Sequence, residues 1–146
     1  MIFLRVERMN LKNELMQYYD NIRSSEKLRS ITMEHIDIFD ENNNSTGKVK
    51  EKQQAHEDGN FHRTAHVWII NDKNELLLQK RSASKKTHPN CWDISGAGHI
   101  KSGESVVDGA IRELKEELGV EVEEKDLQYI ATIKSTKNPK NMEFQY

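Results

Sequence analysis

A single cysteine, no long apolar run and almost no net charge limit what this 146-residue chain can be. Cys91 alone excludes an internal disulfide and a zinc site built only from cysteines. The default compartment is then a reducing one, and the cytoplasm is the expected location. No apolar run approaches the ~20 residues that span a bilayer, so no membrane segment is expected. The opening Met1-Ile2-Phe3-Leu4-Arg5-Val6 is too short and too charged for a secretory signal, and Met9 is an alternative start. With 22 basic and 24 acidic residues the net charge is −2, which gives no global pull toward nucleic acid. Hydrophobic residues make up only 35%, yet the length suits one domain with a real core.

Residues 10–32 lack Gly and Pro and keep Leu11, Leu15, Tyr18, Tyr19 and Ile22 on one side, the pattern of a docking helix. Residues 1–32 are therefore read as a helical extension, and residues 33–146 as the main domain. Glu34–Phe39 alternates like a half-buried strand. The Asn-, Asp- and Gly-rich 40–47 segment turns the chain, and Lys48–Lys50 returns it. Residues 51–60 read as a loop. Thr64–Ile70 is the best strand, rich in β-branched and aromatic residues. Glu75–Arg81 reads as a central strand, and Ser82–Pro89 as a basic loop. Trp92–Ser95 is a short strand, a helix runs from about Ser105 to Leu118 with Gly119 as its stop, and Leu127–Ile133 is a further strand.

The informative segment is Gly98 to Val120. Val107, Ala110, Ile111, Leu114 and Leu118 fall on one helix face, which packs on the sheet. Glu113, Glu116 and Glu117 fall on the other side, within little more than one turn. Three carboxylates that close repel one another unless a cation lies between them. Arg112 reaches Glu116 at i+4, and Glu104 comes back from the preceding loop, but Arg112 and a nearby Lys do not neutralise the group. A divalent ion does, and oxygen ligands favour Mg²⁺ or Mn²⁺. A solvated helix face would explain clustered glutamates on their own.

It does not explain the spacing. Gly98, five residues, Glu104, seven residues, Arg112-Glu113-Leu114, one residue, Glu116-Glu117, one residue, Gly119-Val120 is the Nudix box. A random match of all nine positions has odds under roughly one in a hundred million at a given start. The chain thus resembles the Nudix superfamily. The flanks, His56, His62-Arg63, His66-Val67, Leu76–Arg81, Pro89, Trp92 and Gly98-His99, resemble the branch of isopentenyl-diphosphate isomerase and its hydrolase relatives.

The resemblance implies an α+β fold, an α/β/α sandwich with a mixed β-sheet and the box as loop–helix–loop. It implies a divalent-metal hydrolase of a diphosphate linkage in a nucleoside diphosphate derivative or related phosphorylated metabolite. Carried over, Glu113, Glu116 and Glu117 are metal ligands, the Ala97 carbonyl is a further ligand, and Glu104 and Arg112 join loop to helix, with Gly98 and Gly119 as structural glycines. Either Glu113 or Glu143 is the base that takes a proton from metal-bound water; Glu143 also reads as an ordinary exposed acid near the terminus. Arg81 and Lys85 match positions that contact diphosphate, and also read as part of a solvated basic loop. His56, His62 and His99 match positions of a second metal in the isomerases.

The isomerase branch protonates carbon with a cysteine just before the box glycine. Ala97 stands there instead, with no ionisable proton, and Arg112-Glu113 with Glu116-Glu117 keeps a pattern that isomerases lose. Both differences favour hydrolysis over isomerisation. The third reading, a non-catalytic Nudix-fold binder, has no need of the intact carboxylates. Relatives continue beyond the position of Tyr146, so the C-terminal part is expected to be shortened. An uncovered terminal strand, with Met142 and Phe144 exposed, would pair with a second copy as a homodimer.

Overall fold

The computed structural model describes residues 1–6, 33–84 and 88–146. The strands are β1 (Ile2–Val6), β2 (His35–Phe39), β3 (Ser45–Glu51), β4 (Phe61–Asn71), β5 (Gln79–Lys80), β6 (Trp92–Asp93), β7 (Gly96–His99), β8 (Leu127–Tyr129), β9 (Ile133–Asn138) and β10 (Asn141–Gln145). The helices are α1 (Lys52–Glu57) and α2 (Val106–Leu118).

The longest strand, β4, organises the sheet. Its first half pairs in parallel with β10, Phe61 to Thr64 facing Met142 to Gln145. Its second half pairs in parallel with β1, Val67 to Asn71 facing Ile2 to Val6. Between them, Thr64–Val67 takes β7 antiparallel. The sheet is therefore mixed, and α2 covers one face of it. Ala65, Val67 and Ile69 of β4 pack with Ala110, Leu114 and Leu118 of α2 in one core that also takes Ile2 and Leu4. Strand alternation turns Thr64, His66 and Trp68 to the opposite face.

Helix α2 starts and stops as its sequence dictates. The Ser105 hydroxyl accepts the Asp108 N–H (3.1 Å), and Gly119 ends the helix in the left-handed conformation at φ 67°. This is an α+β fold with few helices, in line with the expectation.

Several local expectations are corrected. Ile2–Val6 is a strand rather than helix: β1 lies between β4 and β8, and its Ile2 and Leu4 join the core. The helix expected over residues 10–32 lies outside the described residues. Residues 51–60 are not all loop, because the Glu51 side chain caps α1 at the Gln54 N–H (3.1 Å) and Ala55 is buried. Glu75–Arg81 is not a central strand. Only a Leu76 bridge to Ile70 and the two-residue β5 form, and the Ser95 hydroxyl satisfies Ile69 N–H (2.8 Å) and Leu77 C=O (2.7 Å). The expected strand Leu127–Ile133 is two strands, because β8 pairs with β1 and β9 with β10. Finally, β10 is no open edge. It lies between β4 and β9, with Phe144 buried, which removes the basis given for a homodimer.

Candidate active site

Gly98 brings strand and helix together. A Cβ there would fall 1.9 Å from the Glu113 carboxyl carbon, so only glycine lets this carboxylate lie against β7. One residue earlier, the Ala97 N–H donates to Glu117 Oε2 (3.3 Å), which also accepts from Gln79 Nε2 (3.1 Å). Glu113 and Glu117 thus converge on adjacent residues of one strand. Glu116 is half-exposed, 3.6 Å from Lys101 Nζ and 3.5 Å from Arg112.

Arg112 is the hub. Its Nε and Nη2 donate to the two oxygens of Glu104 (2.7 and 2.9 Å), Nη1 to Glu113 Oε1 (2.6 Å), and Nη2 also to the His99 carbonyl (2.8 Å). This fork–fork geometry is the strong form of such a pair. The expected bond to Glu104 is present, while Glu113 rather than Glu116 is the second close carboxylate. Burial works against the charge on Arg112, but the Glu104 and Glu113 bonds more than offset it and raise its pKa. Burial raises the pKa of Glu113, which Arg112 only partly counters. Glu104 is lowered, first by the Arg112 hydrogen bonds.

On the opposite face, His56, His62 and His99 bring their ring nitrogens within 4.8 Å of one another, among the described residues the three-residue group able to hold a metal ion. The Nε2 atoms of His56 and His99 lie 3.0 Å apart. His62 Nδ1–H donates to the Asn60 carbonyl (3.0 Å), and its buried Nε2 has no hydrogen-bond partner. A ring so tied presents its other nitrogen as a ligand. Desolvation lowers His99 to about 3 and lowers His56 as well, which keeps both neutral, as ligation requires.

Glu143 joins this cluster. It is 7% exposed, which removes the reading of an ordinary surface acid. Its Oε1 lies 3.8 Å from His62 Nε2, and Asn141 and Gln145 each donate to it at 2.8 Å. Burial alone would raise its pKa, but these neighbours outweigh it and lower the value to about 2.

Arg81 is brought to Asp93 (Nη1 to Oδ2 2.8 Å) on the β5–β6 ribbon, and Lys85 lies outside the described residues. Sequence reasoning missed Gln79, Asn141 and Gln145. Asn141 and Gln145 hold Glu143 from two residues to either side on β10, and Gln79 reaches Glu117 on α2 from β5.

Residues 60–144 match the NUDIX domain family model. An uncharacterized Nudix hydrolase of Clostridium acetobutylicum is 47% identical over 104 residues, 69% of this chain and 50% of that protein. The isopentenyl-diphosphate Delta-isomerase of Citrobacter koseri is 40% identical over 93 residues, 63% of this chain and 51% of that protein. A crystal structure of a Deinococcus radiodurans protein superposes with a TM-score of 0.53 at 31% identity, covering 60% of this chain and 54% of that one. The chain spans about half the length of these relatives. With the domain match covering more than half of its residues, the chain belongs to the Nudix family.

Proposed function

We propose that this chain carries the catalytic centre of a divalent-metal-dependent hydrolase that cleaves a diphosphate linkage in a nucleoside diphosphate derivative or related phosphorylated metabolite, in the cytoplasm. The observation that carries the reading is the convergence of Glu113 and Glu117 on Ala97–Gly98, with Arg112 holding Glu113 in place.

Nudix enzymes generally use divalent cations, and the donors here suit a hard one. They are carboxylates, and Gly98 leaves the space that a Cβ would fill to one of them. Glu113, Glu116 and Glu117 would hold Mg²⁺ or Mn²⁺, with the Ala97 carbonyl as a further ligand. When bound, the ion shields the phosphate oxygens and acidifies water. Glu113 is the better placed of the two candidate bases, since Glu143 lies across the sheet with the histidines. Arg112 orients Glu113 through a 2.6 Å bond, and Glu104 orients Arg112 in turn. Arg81 carries a cation on the ribbon that also bears Gln79, suited to an anionic substrate, and Lys85 is assigned the same task.

The second reading is an isomerase-like reaction, favoured by the histidine cluster. His56, His62 and His99 would hold a borderline ion such as Zn²⁺, Mn²⁺ or Fe²⁺, with Glu143 beside them. Against isomerisation stands Ala97, where an acid is needed. The discriminating experiment is a screen of diphosphate compounds with Mg²⁺ or Mn²⁺. Release of phosphate or monophosphate supports the hydrolase; rearranged isopentenyl diphosphate without phosphate release overturns it.

A further inference from the structure

Glu117 is held differently from the other two box carboxylates. Glu113 and Glu116 meet the Arg112 guanidinium at 2.6 and 3.5 Å, whereas Glu117 has no ion pair among the described residues. Its Oε2 instead accepts two neutral N–H groups, from Ala97 (3.3 Å) and from Gln79 Nε2 (3.1 Å). A carboxylate oxygen offers about two lone pairs. Two donors on Oε2 fill both, which leaves Oε1 as the oxygen that can ligate.

The backbone fixes where Gln79 stands. The Leu77 N–H donates to the Ile69 carbonyl of β4 (2.9 Å), and the Leu77 carbonyl accepts the Ser95 hydroxyl (2.7 Å). Two residues on, Gln79 pairs with Asp93 in the β5–β6 ribbon. The ribbon therefore starts from a point pinned to the sheet, and the half-buried Gln79 amide reaches from it to α2. Arg81 continues the ladder through its N–H to the Cys91 carbonyl (2.9 Å). At two residues' distance it lies on the ribbon side that carries Gln79.

A side chain in this place must donate, to hold Glu117 in one rotamer. It must also be neutral, because a lysine or arginine would compete with an ion for the carboxylate charge. Glutamine meets both demands, since its amide donates N–H and carries no charge. Partners that hold a metal ligand from behind orient it and set the affinity.

We propose that Gln79 is a positioning residue for the ion: with the Ala97 N–H it fixes the Glu117 carboxylate so that Oε1 alone ligates. The assignment rests on the hydrolase reading, in which Glu117 holds Mg²⁺ or Mn²⁺. Gln79 acts only through Glu117.

The test is Mn²⁺ titration of the full chain, followed by loss of the free-ion electron paramagnetic resonance signal. It compares the parent, Gln79→Met, Glu117→Gln and the double variant. Methionine keeps the length of glutamine and removes the donor. The ion that Glu117→Gln weakens marks the carboxylate site. Gln79→Met is expected to weaken that same ion about tenfold, with a melting temperature within about 2 °C of the parent. Where position 117 is already Gln, the change should be less than about twofold. Gln79→Ala decides should Gln79→Met not fold. Parental affinity in Gln79→Met, where Glu117→Gln is weakened, overturns the assignment and leaves the hydrolase reading standing. Equal weakening with Glu or Gln at position 117 also overturns it, since Gln79 then does not act through Glu117. If Glu117→Gln weakens no ion, the metal reading itself fails and the assignment falls with it.

Discussion

Arg112 and Glu104 face each other fork to fork, two nitrogens on two oxygens at 2.7 and 2.9 Å across eight residues of sequence. The pair closes the loop between β7 and α2, and the same guanidinium reaches Glu113 at 2.6 Å. Arg112→Ala therefore leaves a half-buried carboxylate without its partner. A loss of about 3 kcal/mol is expected, read as a melting temperature lower by roughly 10 °C, together with reduced turnover. An unchanged melting temperature would show that Arg112 is not structural.

The same pair predicts a pH dependence. The folded pKa of Glu104 is lowered, so its contribution is fully present above the ordinary carboxylate value of about 4.3. It is lost as pH falls through the lower folded value. Glu104→Gln should flatten the fall in melting temperature between roughly pH 5 and 3 relative to the parent. Glu113, raised by burial, contributes with the opposite sign. Parallel melting curves for parent and variant would refute the linkage.

Gly98→Ala tests the close approach. Its methyl would require the Glu113 carboxylate to move, since the carboxyl carbon lies 1.9 Å from the added Cβ. Displacing a catalytic group by about 1 Å can cost about a hundredfold in rate. Turnover should fall by that order; parental turnover would mean that Glu113 does not act from this position.

His62→Gln addresses the histidine cluster. Titration with Mn²⁺ followed by calorimetry should show one fewer ion bound per chain, or that ion held about a hundredfold more weakly. Identical stoichiometry and affinity in the parent and the variant would remove the second metal from the account.

The box was readable because local chemistry sets each of its positions. Gly98 makes room for Glu113, Ser105 caps α2, and Gly119 takes the left-handed conformation that ends it. The role of Ile2–Val6 was not readable, because its parallel partner Val67–Asn71 lies more than sixty residues away and five residues carry little periodic signal. Glu75–Arg81 has the composition of a strand, but the Ser95 hydroxyl takes the place of ladder bonds, which no local pattern reports.

The most direct test of the central claim is the rate of diphosphate hydrolysis by Glu117→Gln in Mg²⁺, beside the parent with and without excess chelator. The substitution keeps the shape but removes the charge from the side chain that meets Ala97 N–H at 3.3 Å. Metal hydrolysis at this site predicts a fall of about a hundredfold in the variant and loss of parental activity in chelator. Undiminished turnover in the variant, or full activity in chelator, would contradict it.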